Sequence, residues 1–138
     1  MKKYFMGRIL LFLSIGTFAQ SDFKLEITGV EKNGGKVYVS IFNSEESYKN
    51  REVFKSFSLI PNAISINTFL KLAEGEYLFS VYQDSNGNGI LDTNLIGIPK
   101  EKFGFTNYDG KSAPGNFKRH KVLINKSTKA VMVNLYKI

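Results

Sequence analysis

One feature limits the possible folds more than any other. Apolar and polar residues alternate strictly, in short runs, along most of the chain. In "FKLEITGV" the apolar positions are Phe23, Leu25 and Ile27; in "VYVSIF" they are Val37, Val39 and Ile41. "AISINTFLKL" continues the pattern with Ile64, Ile66, Thr68, Leu70 and Leu72, and "YLFSVYQD" with Tyr77, Phe79 and Val81. "HKVLIN" and "KAVMVNLYKI" close the chain, the latter with Val131, Val133 and Leu135. A side-chain period of two places each set on one face of a half-buried strand. Turn chemistry separates the runs: "KNGGK" at 32–36, "AEGE" at 73–76, "KST" at 126–128. The glycines and asparagine of 32–36 predict a hairpin joining the first two strands. Six or seven short strands, with no helix recurring between them, predict an all-β fold, an antiparallel β-sandwich with one long ordered loop. The polar stretch 43–57 reads as a short helix or an irregular excursion, with Asn43 or Ser44 as N-cap and Glu45 and Glu46 in the first turn.

With 138 residues, the chain suits one domain. Its opening, "MKKYFMGRILLFLSIGTFAQS", combines Lys2, Lys3 and Arg8, a short apolar stretch from Ile9 to Phe18, and small residues at Thr17 and Ala19. Those are the parts of a secretory signal, and the run is shorter than the roughly 20 residues a membrane span needs. Residues 1–19 are therefore expected to be cleaved, leaving a single sandwich domain over 20–138 with no membrane span, exported to the periplasm or beyond the cell. The segment holds three of the 19 basic residues and no acidic one, so the net charge falls from +7 to +4 without it. Little basicity then remains to suggest nucleic acid. "FKRHK", 117–121, reads as a solvated strand end, since no nucleic-acid motif accompanies it. Cysteine is absent, which removes disulfides, thiol nucleophiles and thiolate metal sites.

The segment "YQDSNGNGILDTNLIGIP", 82–99, follows a strand and is dense in oxygen donors. Asp84, Asn86, Asn88, the backbone carbonyl of Ile90 and Asp92 fall at offsets 1, 3, 5, 7 and 9, with Gly89 at offset 6. This is the start of the D-x-[DN]-x-[DN]-G loop that wraps a calcium ion, in which alternate side chains converge while glycine permits the sharp turn. Offset 12, where a bidentate glutamate belongs, is Leu95, and no helices are expected to flank the loop. A further ligand would come from Glu101, Asp109, a carbonyl or water. With two carboxylates in the core set, the affinity expected for Ca2+ is about 10⁻⁴–10⁻³ M. The same residues also suit a plain turn, because Asn-Gly steps and self-capping Asp and Asn side chains need no ion.

The span Gly75–Asn107 resembles the signature of a bacterial family of small exported proteins known only as a domain of unknown function. Its pattern is a G-x-Y strand, a D-x-N-x-N-G-x-x-D loop, then G-x-P-x-E-x-x-G-F-S. The matching residues are Gly75 and Tyr77; Asp84, Asn86, Asn88, Gly89 and Asp92; and Gly97, Pro99, Glu101, Gly104 and Phe105. Thr106 stands where the family often has serine, and Lys118, Arg119 and His120 depart from its small or acidic tendency there. The resemblance implies a transthyretin-like or immunoglobulin-like sandwich and an exported location. It implies no activity.

Three functional classes remain. Asp84, Asp92 and Glu101 could furnish a carboxylate pair for glycoside chemistry, but ion ligation or turn capping explains them better. His120, the lone histidine, reads as a surface residue with no nucleophile beside it. No catalytic set is expected. A binding module would display Phe103, Phe105 and Tyr108 beside the ordered loop; of these, the two phenylalanines are expected to fold onto the sandwich and Tyr108 to stay exposed. In a structural role, the loop would pin one end of a disulfide-free shell. The expectation is an exported, non-catalytic sandwich with a low-affinity Ca2+ loop formed by Asp84, Asn86, Asn88, Ile90, Asp92 and Glu101. Its partner would be a carbohydrate or an envelope protein; the alternative is a carbohydrate-binding or carbohydrate-active protein using the Asp84–Asp109 region.

Overall fold

Each alternating run becomes a strand, and the inward halves of the runs meet between two sheets. The structure is a computed structural model that describes residues 19–91 and 99–138. Within them lie β1 (Gln20–Thr28), β2 (Val37–Phe42), α1 (Glu45–Lys49), β3 (Lys55–Leu59), β4 (Ser65–Ala73), β5 (Gly75–Gln83), β6 (Phe103–Phe105), α2 (Phe117–His120), β7 (Val122–Ile124) and β8 (Ala130–Asn134). The expected signal segment falls almost wholly outside the described residues. Among the described residues, no helix is long and apolar enough to cross a membrane.

The smaller sheet has the order β4-β1-β8 and the larger β3-β2-β5-β6, with β7 pairing the start of β5. Neighbours run antiparallel except β1 and β8, which are parallel. Between the sheets lies one core: Phe23, Leu25 and Ile27 from β1 face Val37, Val39 and Ile41 from β2, with Tyr77, Phe79 and Val81 of β5 beside them. This is the all-β sandwich that the alternation predicts, with eight strands among the described residues rather than six or seven.

The hairpin expected at 32–36 does not form. β1 and β2 lie in different sheets, joined by an arch across the end of the sandwich. Alternation marks the face a strand buries, and it is the same whether the next strand lies beside it or across the core. β3 went unrecognised because its alternation rests only on Phe57 and Leu59, half-buried at a sheet edge. β6 is three residues long, below the reach of a periodicity argument. The chain passes from β4 to β5, and so from one sheet to the other, through Glu74 alone. There the Tyr77 hydroxyl donates to the Ala73 carbonyl at 2.7 Å.

A polar helix does form within 43–57. The Ser44 and Ser47 side chains bond each other's backbone N–H, closing a capping box at the start of α1. The 117–121 cluster is the second helix rather than a strand end, with Asn116 accepting from the Arg119 N–H. Both helices sit outside the larger sheet and build a small second cluster from Phe42, Leu78 and Phe117, flanked by Tyr48 and Phe105. Phe103 and Tyr136 exchange backbone hydrogen bonds of 3.0 and 2.8 Å, which ties β6 to the segment following β8 and links the two sheets along one side.

Candidate functional site

β5 carries the chain into the loop through two buried polar residues. Gln83 holds an inward position in the series Tyr77, Phe79, Val81, Gln83. Its side-chain oxygen accepts from the Glu31 N–H at 2.8 Å, while its amide donates to the carbonyls of Glu31 (2.8 Å) and Gly35 (3.0 Å). That one amide fixes the 31–35 arch against β5. Sequence reading passed over it, although a glutamine at inward parity is itself the signal: a buried amide must find partners. Asp84 comes next, 2% exposed, with its N–H donating to Lys36. Gly35 is required beside it. Its φ is +105°, and a Cβ there would lie 2.0 Å from the Asp84 carbonyl oxygen.

From Asp84 the loop closes on itself. One carboxylate oxygen accepts from the Asn88 N–H at 3.2 Å and the other from the Gly89 N–H at 2.6 Å. Asn86 Oδ1 accepts from the Asn88 N–H (3.2 Å), and Asn88 Oδ1 from the Ile90 N–H (3.1 Å). Four oxygens from three side chains on alternate residues thus turn back onto the short stretch 88–90. Gly87 and Gly89 have φ of +73° and +76° with open space around them, so their role is the turn itself and not close packing. The Tyr82 hydroxyl donates to the Gly89 carbonyl at 2.9 Å, and its ring stacks on Tyr38 with centroids 5.3 Å apart.

Glu101, 5% exposed, reaches the same place from the far side of the loop, accepting from the Ser85 N–H at 2.5 Å. Hydrogen bonds therefore connect Asp84, Asn86 and Asn88 to the 88–90 backbone, where Ile90 takes part through its N–H, and Glu101 joins the loop at Ser85. Asp92 lies outside the described residues. Among the described residues, no group of three His, Cys, Asp or Glu side chains lies close enough to hold a metal unaided. A cation here would take a mixed set of carboxylate, amide and backbone oxygens. Such donors fit a hard ion. Two N–H bonds use about half of the lone-pair capacity of the Asp84 carboxylate, and among the described residues no lysine or arginine pairs with it.

The aromatic edge differs from expectation. Phe103 is buried and Phe105 half-buried, as anticipated. Tyr108, expected to be exposed, is 7% exposed, ringed by Phe103, Phe105, His120 and Tyr136 at centroid distances of 5.7–5.8 Å. Its hydroxyl donates to the Ser112 carbonyl. Burial raises its pKa, the charge of Asp109 adds to the rise, and Arg119 opposes it.

His120 is likewise internal at 1% exposure, not on the surface. Its Nε2 accepts from the Gly115 N–H at 2.7 Å, which leaves Nδ1 to donate to the Asn107 carbonyl at 3.1 Å. It staples the 107–115 excursion to α2. With Phe105 and Tyr108 packed on its ring, the imidazole belongs to an aromatic core and not to an exposed platform.

Residues 25–132 match the family model described as an uncharacterized protein conserved in bacteria, DUF2141. The chain belongs to that family. No curated protein and no solved structure matches it. The DUF2141 span runs from β1 into β8 and encloses the loop, Glu101 and both helices.

Proposed function

We propose that this DUF2141 protein is an exported, non-catalytic sandwich domain whose 84–92 loop takes up a calcium ion weakly and so fixes one end of the shell. The observation that carries this reading is the convergence of alternate side-chain oxygens from Asp84, Asn86 and Asn88 on residues 88–90, with buried Glu101 beside them. A plain turn needs one Asn-Gly step. Here two steps in register hold a buried carboxylate, which is costly to desolvate unless compensated. The ion would be held by Asp84, Asn86, Asn88, the Ile90 carbonyl, Asp92 and Glu101, and would supply the missing positive charge. Export rests on the charged, apolar and small-residue order of residues 1–19. The sugar-platform alternative loses its main support, because Tyr108 faces the interior.

Thermal unfolding in chelator and in calcium tests the ion. At ten to a hundred times Kd, a ligand binding only the folded state adds about 1.4–2.7 kcal/mol. Asn86→Ala and Asn88→Ala should fold and abolish that gain, since the turn hydrogen bond each loses is worth about 1 kcal/mol. Terbium in place of calcium should luminesce on tyrosine excitation, since Tyr82 touches the loop, and Tyr82→Phe should weaken the signal. An unfolding curve identical in chelator and calcium would leave only the turn.

A further inference from the structure

The outward face of the larger sheet carries a second feature that the ion does not explain. Between α1, α2 and the end of the loop lies a cleft of about 440 Å³, the size of a small-ligand site. Phe103 and Phe105 contribute to it from β6, Tyr48 from α1, and Leu91, Pro99 and Pro114 from the flanking loops. Among the described residues, its charged lining residues are both cations, Lys49 and Arg51. Among the described residues, neither is in an ion pair.

Arg51 holds an unexpected position. α1 ends in a Schellman closure: the Glu52 N–H donates to the Ser47 carbonyl at 2.8 Å and the Arg51 N–H to that of Tyr48 at 3.3 Å. The residue just past the cap must then be left-handed, and Arg51 is, with φ of +59°. Glycine is the favoured residue there, and any side chain is disfavoured relative to it. The chain nevertheless places an arginine there, with its guanidinium 5.8 Å over the Tyr48 ring at the cleft rim. Strain retained where a simpler residue would serve points to a use for the side chain.

We propose that this cleft binds a small organic acid with an apolar body, its carboxylate held by Arg51 and Lys49 and its hydrocarbon laid against the half-buried Tyr48 and Phe105. The planar, always-charged guanidinium suits bidentate contact with a carboxylate. Apolar walls with cations at one end select against neutral hydrocarbons and against sugars, whose hydroxyls would go unpaired. The shared chemistry fits a fatty acid or an aromatic acid, and it does not depend on calcium.

Calorimetric titration of the purified protein in chelator with laurate, with 2-naphthoate and with dodecanol tests the assignment, and keeps it separate from the ion. Saturable one-to-one binding of either acid, far weaker for dodecanol, is expected; laurate alone would indicate a lipid source and naphthoate alone an aromatic one. Arg51→Gly should keep or raise the melting temperature, because glycine suits the left-handed position, while weakening the acid at least about tenfold. Arg51→Gln keeps the strain and should weaken binding equally, and Phe105→Ala should weaken it through the apolar wall. Absence of binding, equal affinity for dodecanol, or binding unchanged in both Arg51 variants would overturn the proposal.

Discussion

A single hydroxyl at Thr106 joins three elements. It donates to the His120 carbonyl at the end of α2 at 2.5 Å and accepts from the Phe79 N–H in the middle of β5 at 3.2 Å, with no exposed surface of its own. Thr106→Val keeps the volume and removes both bonds, stranding a buried N–H, so it should lower stability by about 1–3 kcal/mol. Thr106→Ser keeps the hydroxyl and loses one buried methyl, about 0.8 kcal/mol. Chemical denaturation of the pair checks the difference, and equal losses would show that the methyl, not the hydroxyl, matters. Gln83→Leu belongs to the same scale: three hydrogen bonds to the 31–35 arch disappear at nearly constant volume, and about 2–3 kcal/mol should go with them.

At the level of elements, the strands were legible and their partners were not. Parity placed Leu25, Val39, Phe79 and Val133 in the core correctly, because burial on one face leaves a mark on sequence. Pairing leaves none. β1 and β2 therefore read as a hairpin although they face each other across the core, and no local pattern announces the parallel β1–β8 pair. The turn at 84–90 was equally legible, since Asp84, Asn86 and Asn88 cap their own backbone within a few positions. The burial of Tyr108 and His120 was not, because it depends on Tyr136 and Asn107, distant in sequence or on another element. Gly104 shows how much a single position can fix at this scale. A Cβ there would fall 2.1 Å from the Asn134 carbonyl oxygen, so only glycine lets β6 approach β8. Gly104→Ala should force the two apart, costing about 1–3 kcal/mol. Faster hydrogen exchange at the Phe103 and Tyr136 amides, which donate to each other's carbonyls, would report the opening; unchanged protection would mean that the sheets are held together elsewhere.

At the scale of the whole molecule, a shell without cysteines depends on packing and on a few hydroxyls that bridge its parts. Tyr77 ties the corner between the sheets, Tyr108 ties the excursion to Ser112, and Tyr48 on α1 reaches the Gly115 carbonyl at 3.4 Å. All three have pKa values raised above 10.0, first by burial; Arg51 partly offsets the rise at Tyr48. The direction fixes the pH response. Below a pH of about 10 these tyrosines are protonated whether the chain is folded or not, and stability does not depend on them. Above it, the unfolded chain releases protons that the folded chain still holds. The folded state then binds more protons, and stability must fall with rising pH until the folded groups ionise too. Melting temperatures followed from about pH 8 to pH 11 should therefore stay level and then drop. The deciding comparison is with Tyr77→Phe and Tyr108→Phe. Each variant loses a hydroxyl bond and should start lower, yet each removes a group that must ionise on unfolding and should fall less steeply. Parallel curves would show that the alkaline loss arises elsewhere and leave the three tyrosines as neutral struts.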